Sequence, residues 1–147
     1  MNALRKDDGV ELVEVAFVLL ILMMLLFGIT GFAHAFYSYH FLSNEAREAT
    51  RWASVNGSAC ATDGSCFAPA TEDDIQALVL SHTPPRINTD LIKVSVTWPG
   101  SAGICTVKNA PGCPVRVQVS YDFNFIFPLI RLAALPMSST SEMTIVH

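Results

Sequence analysis

The chain has 147 residues, room for one domain with appendages, and carries a formal charge of -4 with a pI near 5.4. Lys and Arg form no cluster beyond Arg5-Lys6, so nucleic acid has no electrostatic footing and is excluded as a partner. Hydrophobic residues make up 51% and mean hydropathy is +0.40, at the high end for a soluble chain, and the excess is concentrated near one end.

Residues 1–9 (MNALRKDDG) are a short polar leader ending in Gly9. No Asp, Glu, Lys or Arg then occurs between Glu14 and Glu45, and residues from about 15 to 36 are almost purely apolar. At about 1.5 Å per residue such a helix reaches roughly 33 Å, enough for a hydrocarbon core of about 30 Å. A domain this small cannot wrap a helix that is apolar on all sides, so a membrane span is favoured over a buried core helix. Residues 37–56 continue without Pro, and Leu42, Ala46, Ala49 and Ala53 recur at helical spacing. One long helix over 10–56 is therefore expected, with Glu48 and Arg51 as i,i+3 partners and Asn56-Gly57 as its stop. The aromatics Phe36, Tyr37, Tyr39 and Phe41 suit an interfacial belt or packing between subunits.

Basic residues flank the span on both sides, Arg5-Lys6 before it and Arg47 and Arg51 after, so charge alone does not orient it. Cysteine does. Cys60, Cys66, Cys105 and Cys113 all follow the span. Four cysteines permit three connectivities, and the two sequence-local pairs are the simplest, each stabilising by about 2–3 kcal/mol. The separations are not C-x-x-C and no His stands at ligand spacing, so no metal is expected. Disulfides imply an oxidising compartment, which puts the C-terminal domain outside the cytoplasm and the N-terminus inside.

Residues 57–147 predict a small α+β domain. A Gly/Ser/Ala loop over 57–70 carries the first cysteine pair, and Thr71 caps a short helix opened by Glu72-Asp73-Asp74, with Ile75, Leu78 and Val79 on its apolar face. Leu91–Trp98 and Val115–Phe127 alternate apolar and polar residues, as strands with one buried face do. The loop between them holds Cys105 and Cys113, so a stapled antiparallel hairpin is expected, with a weaker last strand near Met143–Val146. The short helix is expected to cover the apolar sheet face. Phe125–Leu135 is too short for a second span and is interrupted by Pro128 and Arg131; it reads as a linker or partner-facing loop.

Glu14 is the unusual residue. A carboxylate in an apolar span costs about 2.5–3.5 kcal/mol at mid-bilayer and less near the interface. It is either solvated at that interface or meets a positive partner on assembly. A neighbouring subunit's free α-amino group would serve if the chain were cut just upstream, and Gly9, a small residue between a basic leader and the span, makes that cut plausible. Cleavage after Gly9 makes Val10 the new N-terminus and Glu14 the fifth residue.

Gly9, Val13-Glu14, Ala16, Val18-Leu19, Phe27-Gly28-Ile29 and Asn44-Glu45-Ala46-Arg47-Glu48-Ala49-Thr50-Arg51 together resemble the N-terminal signature of TadE-like minor pilins, or pseudopilins, over residues 9 to about 51. Val15 stands where that family usually has Phe or Tyr, and Leu20 where Pro is common. The resemblance implies a non-catalytic subunit that helps to assemble or cap a Tad (Flp-type, type IV-like) pilus for adhesion or secretion. It implies Gly9-Val10 as the prepilin-peptidase site and Glu14 as the acid that pairs with a neighbouring N-terminus. Its partners would be membrane lipid, other pilin or minor pilin subunits, the peptidase and the inner-membrane assembly platform. It would sit in the inner membrane as a single-pass protein, or in an extracellular pilus.

Two other readings remain open from the residues: a permanently anchored extracytoplasmic binding domain, and a secreted protein cut at the A-x-A pattern Ala33-His34-Ala35. An enzyme has little support. His34, His40, His82 and His147 form no ligand or triad spacing, and no phosphate loop or nucleophile motif occurs, so no catalytic residue, cofactor or metal is assigned.

Overall fold

The computed structural model of the chain describes residues 4–64, 66–100, 105, 107–125 and 133–146, with side chains from Gly9 onward. Element order is helix α1 (Leu4–Val55), helix α2 (Glu72–Ser81), a single 3-10 turn (Thr89–Leu91), and strands β1 (Ile92–Thr97), β2 (Pro114–Phe123) and β3 (Leu135–Thr144).

The 52 residues of α1 make a rod of about 78 Å. It begins at Leu4, five residues earlier than Gly9. The leader contains no Pro, and a single Gly costs only about 1 kcal/mol in a helix interior, too little to stop helix propagation from so long a neighbour. From Val10 to Leu26 the rod is exposed all round, and by length and composition it is able to cross a membrane. From Ala35 onward one stripe is buried: Ala35, Ser38, Leu42, Ala46, Ala49 and Ala53, spaced three and four apart. The helix ends at Val55, and Asn56, whose Nδ2 donates to Trp52 O at 2.9 Å, supplies the stop.

The strands form one antiparallel sheet in the order β1-β2-β3. Ile92 pairs with Tyr121 and Thr97 with Arg116; on the other side Pro114 pairs with Thr144 and Phe123 with Leu135. Val115, Val117, Val119, Tyr121 and Phe123 are buried in strict alternation, so β2 is the spine of the core. Its outer face carries the cross-strand pairs Arg116–Glu142 at 2.7 Å and Lys93–Asp122 at 3.5 Å, all well exposed and worth little to stability.

The last strand differs from expectation: it runs from Leu135 to Thr144 rather than near Met143–Val146. Its inward positions include Ser139 and Ser141, opposite Val119 and Val117. That Ser-rich face hides the alternation by which a buried strand is recognised. The covering of the sheet also differs. The C-terminal half of α1 lies across β2 and β3, and α2 lies against β1 and the flank of α1. Small residues on both sides explain this: the alanine stripe of α1 and the serines of β3 allow close approach, and the buried Thr50 hydroxyl lies 3.4 Å from Ser141 O while donating to Ala46 O at 2.6 Å. Of the Phe125–Leu135 run, residues 126–132 lie outside the described residues.

Helix α2 is held by a reciprocal cap: Asp74 N–H donates to Thr71 Oγ1, and Thr71 N–H and Oγ1–H donate to the Asp74 carboxylate. The Thr71 hydroxyl, and then its backbone N–H, hold the Asp74 carboxyl below its usual range. Where α2 ends, His82 Nδ1 meets Glu45 Oε2 at 3.4 Å, and the Glu45 side chain is 14% exposed. Burial first, with the neighbouring Glu48 charge, pushes the Glu45 carboxyl up, and the charge and hydrogen bond of His82 offset this only in part. A raised carboxyl pKa means the native state binds the proton more tightly, so Glu45's contribution falls as pH rises through its folded pKa. Glu45→Gln is therefore expected to leave the melting midpoint at neutral pH unchanged or raised, with the difference from wild type closing below about pH 4. A lower midpoint for the variant at neutral pH would show instead that the Glu45–His82 contact is a net stabiliser.

Candidate functional site

The sequence-singled residues fall into two groups at opposite ends of α1. Gly9, Val10 and Glu14 lie in its first turns, all exposed. A Cβ built on Gly9 meets nothing within 4 Å, so neither packing nor backbone conformation requires glycine there. Glu14 stands one turn beyond Val10 and makes no ion pair with any described residue. The Gly9–Val10 bond lies inside the helix, so a peptidase needing extended backbone would first have to unwind the leader turn, which Gly9 eases.

The cysteines lie roughly 60 Å away, beyond the far end of the rod. Cys60 pairs with Cys66 and Cys105 with Cys113, at Cα separations of 5.2 and 5.6 Å, and no cysteine is free. Both pairs are the sequence-local ones. Asn109, at φ 64° and buried, knits the two stapled loops to α1. Its Nδ2 donates to Ala70 O at 3.2 Å and Asn56 O at 3.4 Å, its Oδ1 accepts from Trp98 Nε1 at 3.3 Å, and its carbonyl accepts from Ser58 N–H at 2.7 Å. Asn is among the few residues that tolerate this backbone region, so a turn-forming Lys-Asn-Ala-Pro run was the signal available in the sequence.

Among the described residues no group of three His, Cys, Asp or Glu side chains could hold a metal ion. The histidines are dispersed: His34 edges onto Phe123 at 5.3 Å between ring centres, His40 onto Phe36 at 4.4 Å, and His82 faces Glu45; His147 lies outside the described residues. Sequence reasoning missed one feature, a cavity of about 920 Å³ between α1 near Phe27–Tyr37 and the domain at Arg86 and Phe123. Its walls come from three separate elements, which no linear pattern joins.

A helix long and apolar enough to cross a membrane continues without a break into a small α+β domain, with Glu11 and Glu14 near its exposed end and a disulfide-stapled sheet at the other. The model of the TadE-like protein family matches residues 9–51, the helix from Gly9 to Arg51. The matched segment, residues 9–51 of 147, lies wholly within α1, and the domain that follows is outside the match. Neither a curated relative nor a solved structure matches the chain.

Proposed function

We propose that the chain is a minor pilin-like (pseudopilin) subunit that helps to assemble or cap a Tad pilus for adhesion or secretion. The observation that carries the reading is the TadE-like match over the segment that holds both Gly9 and Glu14, which has no ion-pair partner among the described residues. Gly9 supports it further, because the helix tolerates but does not need a glycine at that position. The leader is removed by a prepilin peptidase at Gly9-Val10 on the cytoplasmic side. The helix then waits in the inner membrane with the domain outside, where Cys60–Cys66 and Cys105–Cys113 can form. On contact with the assembly platform and other pilin subunits, Glu14 takes up a neighbour's Val10 α-amino group and sets the vertical register.

The test is the N-terminus and intact mass of the mature protein, made with and without a cognate prepilin peptidase. A peptidase-dependent start at Val10 is expected. Retention of residues 1–9 would leave a permanent anchor, and a start at Phe36 would mean a secreted domain; either would overturn the pilin reading.

A further inference from the structure

The cavity beside α1 combines an apolar wall with the guanidinium of Arg86, which has no side-chain partner among the described residues. Phe27, Gly31, His34 and Tyr37 of the helix are among its lining residues, with Arg86 and Phe123 of the domain. Arg86 makes no hydrogen bond or ion pair with any described residue. His34 Nε2 has no hydrogen-bond partner among the described residues and is buried from solvent, so His34 lines the cavity through its other ring atoms. Thr30, also in the lining, is satisfied internally, since its hydroxyl donates to Leu26 O at 2.8 Å.

An apolar trough with a guanidinium in its wall fits a molecule with a hydrocarbon part and an anionic oxygen group. Its depth decides which molecule. Phe27–Tyr37 lie at the outer end of the proposed span, where acyl chains give way to phosphates. A second copy's helix packed at the same level brings no anion to Arg86, because the sequence carries no carboxylate between Glu14 and Glu45. We propose that the cavity holds one phospholipid of the surrounding bilayer, with its phosphate toward Arg86 and an acyl chain along Phe27 and Phe123. The inference rests on the membrane reading given above. It gives the domain a fixed height above the bilayer, held by a lipid until assembly withdraws the helix.

The test uses the full chain in dodecylmaltoside micelles with added dioleoylphosphatidylglycerol, read by native mass spectrometry. Retention of one lipid is expected. Dioleoylglycerol, with the same tails and no phosphate, should be retained about tenfold less, and Arg86→Gln should lower phosphatidylglycerol retention by a similar factor, the effect of one charge-assisted hydrogen bond. Equal retention by Arg86→Gln, equal retention of dioleoylglycerol, displacement by inorganic phosphate, or a dimer that excludes lipid would each overturn the proposal. Membrane fractionation of the same protein separates the two readings. A chain that does not partition into membranes sinks the membrane reading, whereas an inserted chain that retains no lipid sinks only this one.

Discussion

Glu14→Gln and Glu14→Ala are expected to abolish incorporation into the pilus while leaving membrane insertion intact. Glu14 is exposed on the apolar part of α1 and has no ion-pair partner among the described residues. An ionised carboxylate there costs up to about 3 kcal/mol in the bilayer, and either substitution removes that cost, so insertion is as good or better in the variants. What they lose is the partner. Val10 lies four residues before Glu14, so a neighbour whose α-amino group meets this carboxylate is displaced along the axis by about 6 Å. An ion pair away from water is strong because both charges would otherwise stand unpaired, and only one register satisfies it. Immunoblots of sheared filaments and of membranes from the same cells check both halves. Normal assembly by either variant would sink the registry role, and a parallel loss on Glu11→Gln would show a general need for charge at this end instead.

Removing both disulfides is expected to unfold the C-terminal domain near body temperature. The pairs close short loops, six and eight residues apart in sequence, and the chain-entropy relation puts each at about 2–3 kcal/mol. Together that is about 5 kcal/mol, comparable with the whole stability of a domain this size. Position adds to it. Cys113 stands beside Pro114, the first residue of β2, and its carbonyl accepts from Ile145 N–H at 2.8 Å, so the second staple clamps the ends of β2 and β3. Cys60 is fully buried just past the end of α1. With both pairs replaced by Ser, or reduced, the melting midpoint of the domain in micelles should fall by roughly 20 °C or more, and each single pair by about half of that. A midpoint unmoved by reduction would mean that the core alone holds the domain and would remove the reason for placing it in an oxidising compartment.

Much of this architecture is legible in the residues because it depends on local periodicity. Thirty uncharged residues between Glu14 and Glu45 specify a long apolar helix without reference to anything else. Val115, Val117, Val119, Tyr121 and Phe123 announce β2, and Thr71 followed by three acids announces α2, because a pleat and a helix dipole act within a few residues. The family signature lies in the same segment, where each residue's role is set by its place along one helix. β3 illustrates the opposite case. Leu-Pro-Met-Ser-Ser-Thr-Ser-Glu-Met-Thr has no run of apolar alternation, and it becomes a strand because β2 offers it an unpaired edge and α1 covers its serines.

By itself the sequence determined a membrane-capable helix, an α+β domain after it that carries all four cysteines, and the Gly9–Glu14 spacing on which the assembly proposal stands. Only the tertiary structure decided that the alanine stripe of α1, rather than α2, roofs β2 and β3. It also decided that Asn109 ties the stapled loops to the helix end, and that His34, Arg86 and Phe123 share one cavity. The physical reason is range. Helix, pleat and cap are set by neighbours within about four residues, whereas an edge strand, a helix–sheet contact or a cavity wall is set by whichever distant surfaces fit closely enough to exclude water.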